Sequence, residues 1–203
     1  MSRRAEAALG TRPGVDDLVS RFREFPCGAA VKANDQLEPA LASSCGAIFV
    51  LRANGLELGP VVHRIHLARK LAVVHLDLVD GLAADLTGVR WLVRCGADAI
   101  ISSHGQAVRA IRAEGVVAIQ RLLCVNLVGV ELGLQAAARS EPDIVELLPG
   151  AILPEVADLV MSRLTVPLLA GGFIHDADAA RGVLEAGALA VTTSQPALWG
   201  PWS

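Results

Sequence analysis

The chain has little aromatic character: four Phe, three Trp and no Tyr in 203 residues. A platform of stacked rings for nucleobases is therefore not expected. Charge of one sign is also missing. The formal net charge is −3 and the sequence pI about 5.9, so any nucleic-acid contact needs a local basic patch rather than a basic domain. Lysine is nearly absent, Lys32 and Lys70 being the two present. The cysteines Cys27, Cys45, Cys95 and Cys124 form no C-x-x-C pair, and in a chain of this length they read as buried apolar residues in a reducing compartment. No apolar run reaches the roughly 18 residues that span a bilayer. Met1-Ser-Arg-Arg lacks the apolar segment of a signal peptide behind its charges, so a cytoplasmic protein is expected. A Walker loop, a nucleophile elbow and a G-x-G-x-x-G after the first strand are absent too.

What is present is apolar and periodic. Hydrophobic residues make up 53% and charged residues 19% of the chain, which excludes disorder as its main state. Short apolar runs recur about every 23 residues: Gly28–Lys32, Ala47–Arg52, Ala72–Asp77, Asp98–Ser102, Val116–Gln120, Asp143–Leu148, Pro167–Ala170 and Ala188–Thr193. Most are apolar throughout, as strands covered on both faces are. Helical periodicity fills the gaps over Asp35–Ser44, Glu57–Lys70, Asp85–Arg94, Gln106–Glu114, Asn126–Arg139, Pro154–Leu164 and Asp176–Ala186. On the second of these, Leu58, Val61, Ile65 and Ala68 form the expected buried stripe. Asn34, Asn126 and Asp176 are suited to start helices. Gly46, Gly96, Gly115 and Gly187 are placed to end them with positive φ. Eight such units predict an α/β fold, a compact (β/α)8 TIM-type barrel in one domain over residues 15–203, after a loose arm over 1–14. An open doubly wound sheet is the alternative.

In such barrels the site lies where strands end and helices begin. The polar residues of this chain collect there: Lys32, Arg52, His75, Asp77, Ser102, Ser103, Gln120, Arg121, Glu146, Thr192, Thr193 and Ser194. After the seventh strand, Gly171-Gly172 lets backbone N–H groups approach a ligand closely. After the eighth, Thr192-Thr193-Ser194 precedes Pro196, a first-turn residue. Together these loops predict a phosphate site. His75 and Asp77, two apart on the third strand, can bind a polar ligand, act as acid and base, hold a metal, or pair inside the barrel. No third ligand stands at metal spacing, so no metal is expected. Lys32 can neutralise a ligand anion or, if desolvated, form a Schiff base. Glu146 can accept hydrogen bonds from ligand hydroxyls or pair with Lys32 or Arg121. The second helix offers a basic stretch, His63, Arg64, His66, Arg69 and Lys70, readable as an RNA contact or as an ordinary solvated face.

Several segments, in order, resemble one family. Val74-His75-Leu76-Asp77-Leu78-Val79-Asp80-Gly81 is similar to its V-H-x-D-L-x-x-G signature, Ala99–Ser103 to G-I-I-S-T, Ala118–Leu122 to A-I-Q-R-L, and Pro142–Gly150 to P-D-x-I-E-x-L-P-G. Ala170–Ile174, Gly187–Ser194 and Leu198-Trp199 resemble its C-terminal block. The family is that of the glycerol-3-phosphate-responsive antiterminators, regulators of glycerol uptake operons, and the resemblance runs from about Pro26 to Trp199. It implies a non-catalytic regulator without a cofactor that binds glycerol 3-phosphate and acts on leader mRNA. Separately, ring-covering helices rich in Ala and Leu can pair, which allows a homo-oligomer. Gly171, Gly172, Thr192, Thr193 and Ser194 are then expected at the phosphate. Lys32, His75, Asp77, Gln120 and Glu146 are expected around the rest of the ligand, and Arg64, Arg69 and Lys70 at RNA. The chain departs from the family pattern at His104-Gly105, where a basic residue and serine are usual, and at Cys124-Val125-Asn126, which replaces L-x-D. An enzyme acting on a small phosphorylated substrate is the alternative, because one fold hosts many functions.

Overall fold

A computed structural model describes residues 12–32 and 34–202. The arm expected over 1–14 lies outside these residues except for Arg12 to Gly14. In chain order the strands are β1 (Cys27–Val31), β2 (Ala47–Val50), a short β3 (Ala53–Asn54), β4 (Leu71–His75), a short β5 (Val79–Asp80), β6 (Ala99–Ser102), β7 (Val117–Leu123), β8 (Ile144–Leu148), β9 (Leu168–Gly171) and β10 (Ala190–Thr193). The helices are α1 (Val15–Glu24), α2 (Leu37–Ala42), α3 (Leu58–Leu67), α4 (Leu86–Arg94), α5 (Gly105–Ala113), α6 (Leu127–Ser140), α7 (Leu153–Met161) and α8 (Ala177–Glu185).

Eight strands close into a parallel barrel in the order β1-β10-β9-β8-β7-β6-β4-β2. β1 pairs with both β2 and β10, which settles the choice against an open sheet. β3 and β5 form a separate small parallel pair above the rim. The expected strands match the barrel strands within a few residues because each apolar run is bounded by polar or turn residues on both sides.

Period-two alternation divides each barrel strand between two cores. Ala72, Val74, Ile100, Ala118 and Val145 face the helices. Phe49, Val73, Ile101, Ile119 and Leu169 fill the interior. The amino-terminal end of that interior is closed by α1, which the apolar periodicity of the sequence did not announce. Its Leu18 and Phe22 are each 1% exposed, and the Phe22 and Phe49 rings lie 6.2 Å apart. Among the described residues, β10 is followed by a 3₁₀ turn, Pro196–Leu198, in place of a further helix. Trp199 then ties the carboxyl terminus back, its indole N–H donating to the Thr193 carbonyl at 2.9 Å.

Helix ends follow local chemistry. Asp85, Asn126 and Asp176 cap α4, α6 and α8, each side chain accepting an N–H at 2.9 Å. Asn34 instead opens a 3₁₀ turn ahead of α2, whose N-cap is Gln36. Gly96, Gly115 and Gly187 do have positive φ, whereas Gly46 does not. Gly46 is needed for space, since a Cβ there would fall 2.8 Å from the Arg21 side chain. At the equivalent point after α3, Arg69 takes the left-handed conformation itself, φ 58°. On α3 the buried stripe is Leu58, Val62 and Ile65, with Val61 and Ala68 at its half-buried margin. All four cysteines are free, and Cys27, Cys45 and Cys124 are buried. Among the described residues no helix is long and apolar enough to cross a membrane.

Candidate effector site at the carboxyl-terminal rim

The carboxyl ends of β1, β7, β8, β9 and β10 surround a cavity of about 500 Å³, within the range of small-molecule sites. Lys32, Arg121, Glu146, Gly171, Gly172, Thr192, Thr193 and Ser194 line it, with Phe173, His175 and Gln195 at its edge. The register explains the grouping. Arg121 lies beside Glu146 across β7 and β8, and Gly171 lies beside Thr192 across β9 and β10.

Gly171 leaves no room for a side chain, since even a Cβ would press on Thr192 Oγ1 and Glu146 Oε1. Gly172 has φ 85° and Phe173 φ 59°. A bulky residue with positive φ is strained, and such strain collects at ligand-binding loops. Phe173 is also 73% exposed, and its ring meets His175 edge-on at 6.3 Å. The Gln195 amide lies 3.3 Å from His175 Nδ1, which makes a side wall of Phe173, His175 and Gln195.

The floor is ionic. Arg121 Nε donates to Glu146 Oε2 at 2.7 Å, and Thr192 Oγ1 donates to Glu146 Oε1 at 2.7 Å. Both carboxylate oxygens are thus engaged, in a group 1% exposed. A buried carboxylate requires such partners. Of the pairings left open by the sequence, the structure chooses Arg121. Lys32 stands across the mouth, exposed, with its main-chain N–H held by Gln36 Oε1 at 2.8 Å. An exposed lysine is not the desolvated amine that Schiff-base chemistry requires.

His75 points inward, in step with Val73. It is 2% exposed, and neither ring nitrogen has a hydrogen-bond partner among the described residues. Burial and then the nearby Arg121 guanidinium lower its pKa to about 4, against the opposing pull of Asp77 and Glu146. The ring is therefore neutral at pH 7. His75 does not line the cavity; it lies buried in the same charged group as Arg121 and Glu146.

Two residues expected at the ligand are bonded elsewhere. Asp77 does not share the inward face of His75, because β4 ends at His75 and a 3₁₀ turn, Leu76–Leu78, carries Asp77 away. Its carboxylate accepts from Ser102 Oγ at 2.6 Å and from the Ser103 N–H at 2.7 Å, tying two strand ends together. Gln120 points to the helix layer, where its Oε1 accepts from the Ser140 hydroxyl of α6. Strand alternation then sends the next residue, Arg121, inward. That parity could not be read from the sequence, because both faces of β7 are apolar below this level. Phe173, His175 and Gln195 were not anticipated either. Their positions follow from the course of two loops rather than from any periodicity.

The Thr193 hydroxyl donates to the Ile174 carbonyl at 3.1 Å and accepts the Gln195 N–H at 3.2 Å. It shapes the loop, while Ser194 stays half-buried at the cavity wall. Among the departures from the family pattern, Asn126 performs the capping an aspartate would perform. His104 is the N-cap residue of α5, without a side-chain cap bond. Gly105 begins that helix, its Cβ position 3.3 Å from Ser140 Cβ.

The basic stretch on α3 is largely committed to the protein. Lys70 Nζ donates to the Ser43 and Cys45 carbonyls, the former at 2.8 Å. Arg64 pairs with Glu38, and His66 with Asp98 at 2.8 Å. Arg69 is exposed without an ion-pair partner among the described residues.

Comparison with known proteins agrees with this architecture. The sequence pattern of the family described as "Glycerol-3-phosphate responsive antiterminator" matches residues 28–199. An Escherichia coli K12 protein, "Uncharacterized protein YgcP", is 35% identical over 183 residues, covering 90% of this chain and 95% of its own. The crystal structure of a glycerol uptake operon antiterminator regulatory protein from Listeria monocytogenes superposes with a TM-score of 0.83 at 30% identity, over 88% of this chain and 96% of that one. That of a glycerol uptake operon antiterminator-related protein from Thermotoga maritima gives 0.77 at 25% identity, over 85% and 96%. The chain belongs to the glycerol-3-phosphate responsive antiterminator family.

Proposed function

We propose that the chain is an effector-gated regulator, not a catalyst. Glycerol 3-phosphate binds in the rim cavity and the liganded form acts on leader mRNA so that transcription passes a terminator. The phosphate lies against the main chain of Gly171, Gly172, Thr193 and Ser194, with Lys32 supplying charge across the mouth. The glycerol end points to Arg121, whose guanidinium is oriented by Glu146, which Thr192 holds in turn. His75 backs this group as a neutral ring able to donate one hydrogen bond and accept another.

The observation that carries this reading is the meeting of a glycine pair, the Thr-Thr-Ser segment and two cations in one cavity of about 500 Å³. Membership of the family supports the effector and the RNA role. Asp77 and Gln120 are left out of the ligand set because their side chains are bonded elsewhere. Just after α3, Arg69 is the residue proposed for RNA contact, and Arg64 and Lys70 serve the fold.

A read-through assay on a leader template carrying a terminator tests the whole reading. Read-through should rise when protein and glycerol 3-phosphate are both present, and not with glycerol. Arg69→Glu should weaken RNA binding and flatten its salt dependence. NMR of the ligand incubated with the protein should show no product. Product formation would instead establish an enzyme of a small phosphorylated substrate.

A further inference from the structure

Outside the rim cavity, the described residues carry an apolar surface that the effector site does not explain. Leu123 is 57% exposed, Val125 93%, Leu127 63%, Val128 62% and Leu132 57%. They lie at the end of β7, in the loop after it and on the first turns of α6, and together present about 500 Å² of apolar surface, the upper end of what a monomer leaves in one patch. From Leu122 to Val130 the chain carries no charge. Leu123, Val125 and Leu127 form one side of a groove of about 560 Å³, with Leu148, Pro149, Ile152 and Val156 on the other.

We propose that this face is where a second copy of the chain docks, as a two-fold dimer. Val128 and Leu132 project outside the groove, and the other three exposed side chains line it. In a two-fold pair each copy places its projections in the other's groove, so one patch is complementary to itself. With about 500 Å² from each copy, such a pair buries about 1,000 Å² in total, the least that a biological interface needs. The absence of charge separates this occupant from others. RNA requires cations here, and attraction to an anionic bilayer requires them too. Leu148 and Pro149 line both the groove and the rim cavity, so a docked copy lies beside the mouth of the effector site.

The dimer does not depend on the ligand reading, and its test uses no ligand. Sedimentation velocity on the full chain at micromolar concentrations should give twice the 21.2 kDa chain mass. The double variant Val125→Asp/Val128→Glu should sediment as a monomer with the wild type's circular dichroism, its melting temperature lower only by what association contributes. Both side chains are exposed, and an acid in the first turn of α6 suits the helix dipole. Leu67→Glu on α3, where Leu67 is 70% exposed, should remain a dimer. A wild-type chain that stays monomeric across this range overturns the proposal. So does a dimer that survives the double variant. Monomers that bind neutral phosphatidylcholine vesicles through this face would assign it to lipid and overturn the proposal as well.

Discussion

The two ends of the barrel are built from the same strands and have opposite chemistry. At the amino-terminal end, Leu18 and Phe22 of α1 seal an interior of Phe49, Leu71 and Val73. At the carboxyl end, the inward positions pass to His75, Arg121, Glu146 and Thr192, and the lid is replaced by a cavity. Phe49 and Leu51 mark the change, the first within the apolar core and the second in the cavity lining. The packed seal and the candidate ligand site are thus separated along the strand axis, as in other barrels of this kind. Each end can be altered with different consequences.

The largest effect is expected at the closed end. Phe22→Ala removes a ring that is 1% exposed and should cost about 4 kcal/mol in chemical denaturation. Its response to glycerol 3-phosphate, measured as the ligand-induced rise in melting temperature, should stay intact. At the open end, Arg121→Met leaves the Glu146 carboxylate buried without its cation. The expected cost is about 3 kcal/mol at pH 7, and here the ligand response should be lost. Replacing both, Arg121→Met with Glu146→Gln, should recover much of the stability and none of the response. A double variant that regained ligand binding would break the contrast between the ends.

A pH effect follows from His75. Its pKa lies near 4 in the folded chain, below the 6.5 of an unfolded histidine. As pH falls through 6.5 the unfolded chain takes up a proton that the folded chain refuses. The neutral ring's contribution is therefore complete above pH 6.5 and is lost toward pH 4, by about 3 kcal/mol in all. Below pH 4 both states are protonated and the loss stops. Urea titrations across this window should show the slope in the wild type and a smaller one in His75→Leu. Equal slopes would mean that the histidine is not buried in its neutral form.

The closed and open ends also differ in how far they were legible. Strand positions, the barrel and the seven helices after β1 were readable, because runs such as Ala47–Val50 and Ile144–Leu148 are apolar throughout and bounded by turn chemistry. The glycine pair and Thr192–Ser194 were readable for a similar reason, since small residues after strands seven and eight have few other uses in this fold. Side-chain direction was not. Gln120 and Arg121 are adjacent polar residues on a strand buried on both faces, and only the closed barrel determines which one turns inward. Asp77 was misplaced because the strand ends two residues sooner than the alternation suggested. Helix α1 escaped notice because its apolar contribution, Leu18 and Phe22, is a single i, i+4 pair among charged residues. Lys70 and Arg64 looked like a basic face because their partners, the Ser43 and Cys45 carbonyls and Glu38, are remote in sequence.

Titration calorimetry of glycerol 3-phosphate into the wild type and into Lys32→Glu bears most directly on the rim cavity as the effector site. The wild type should bind the phosphoester with one site per chain and ignore glycerol. The variant, which reverses the charge of an exposed residue lining the cavity, should remain folded and release no binding heat. Equal binding by both proteins, or equal binding of glycerol and its phosphate by the wild type, would contradict the account.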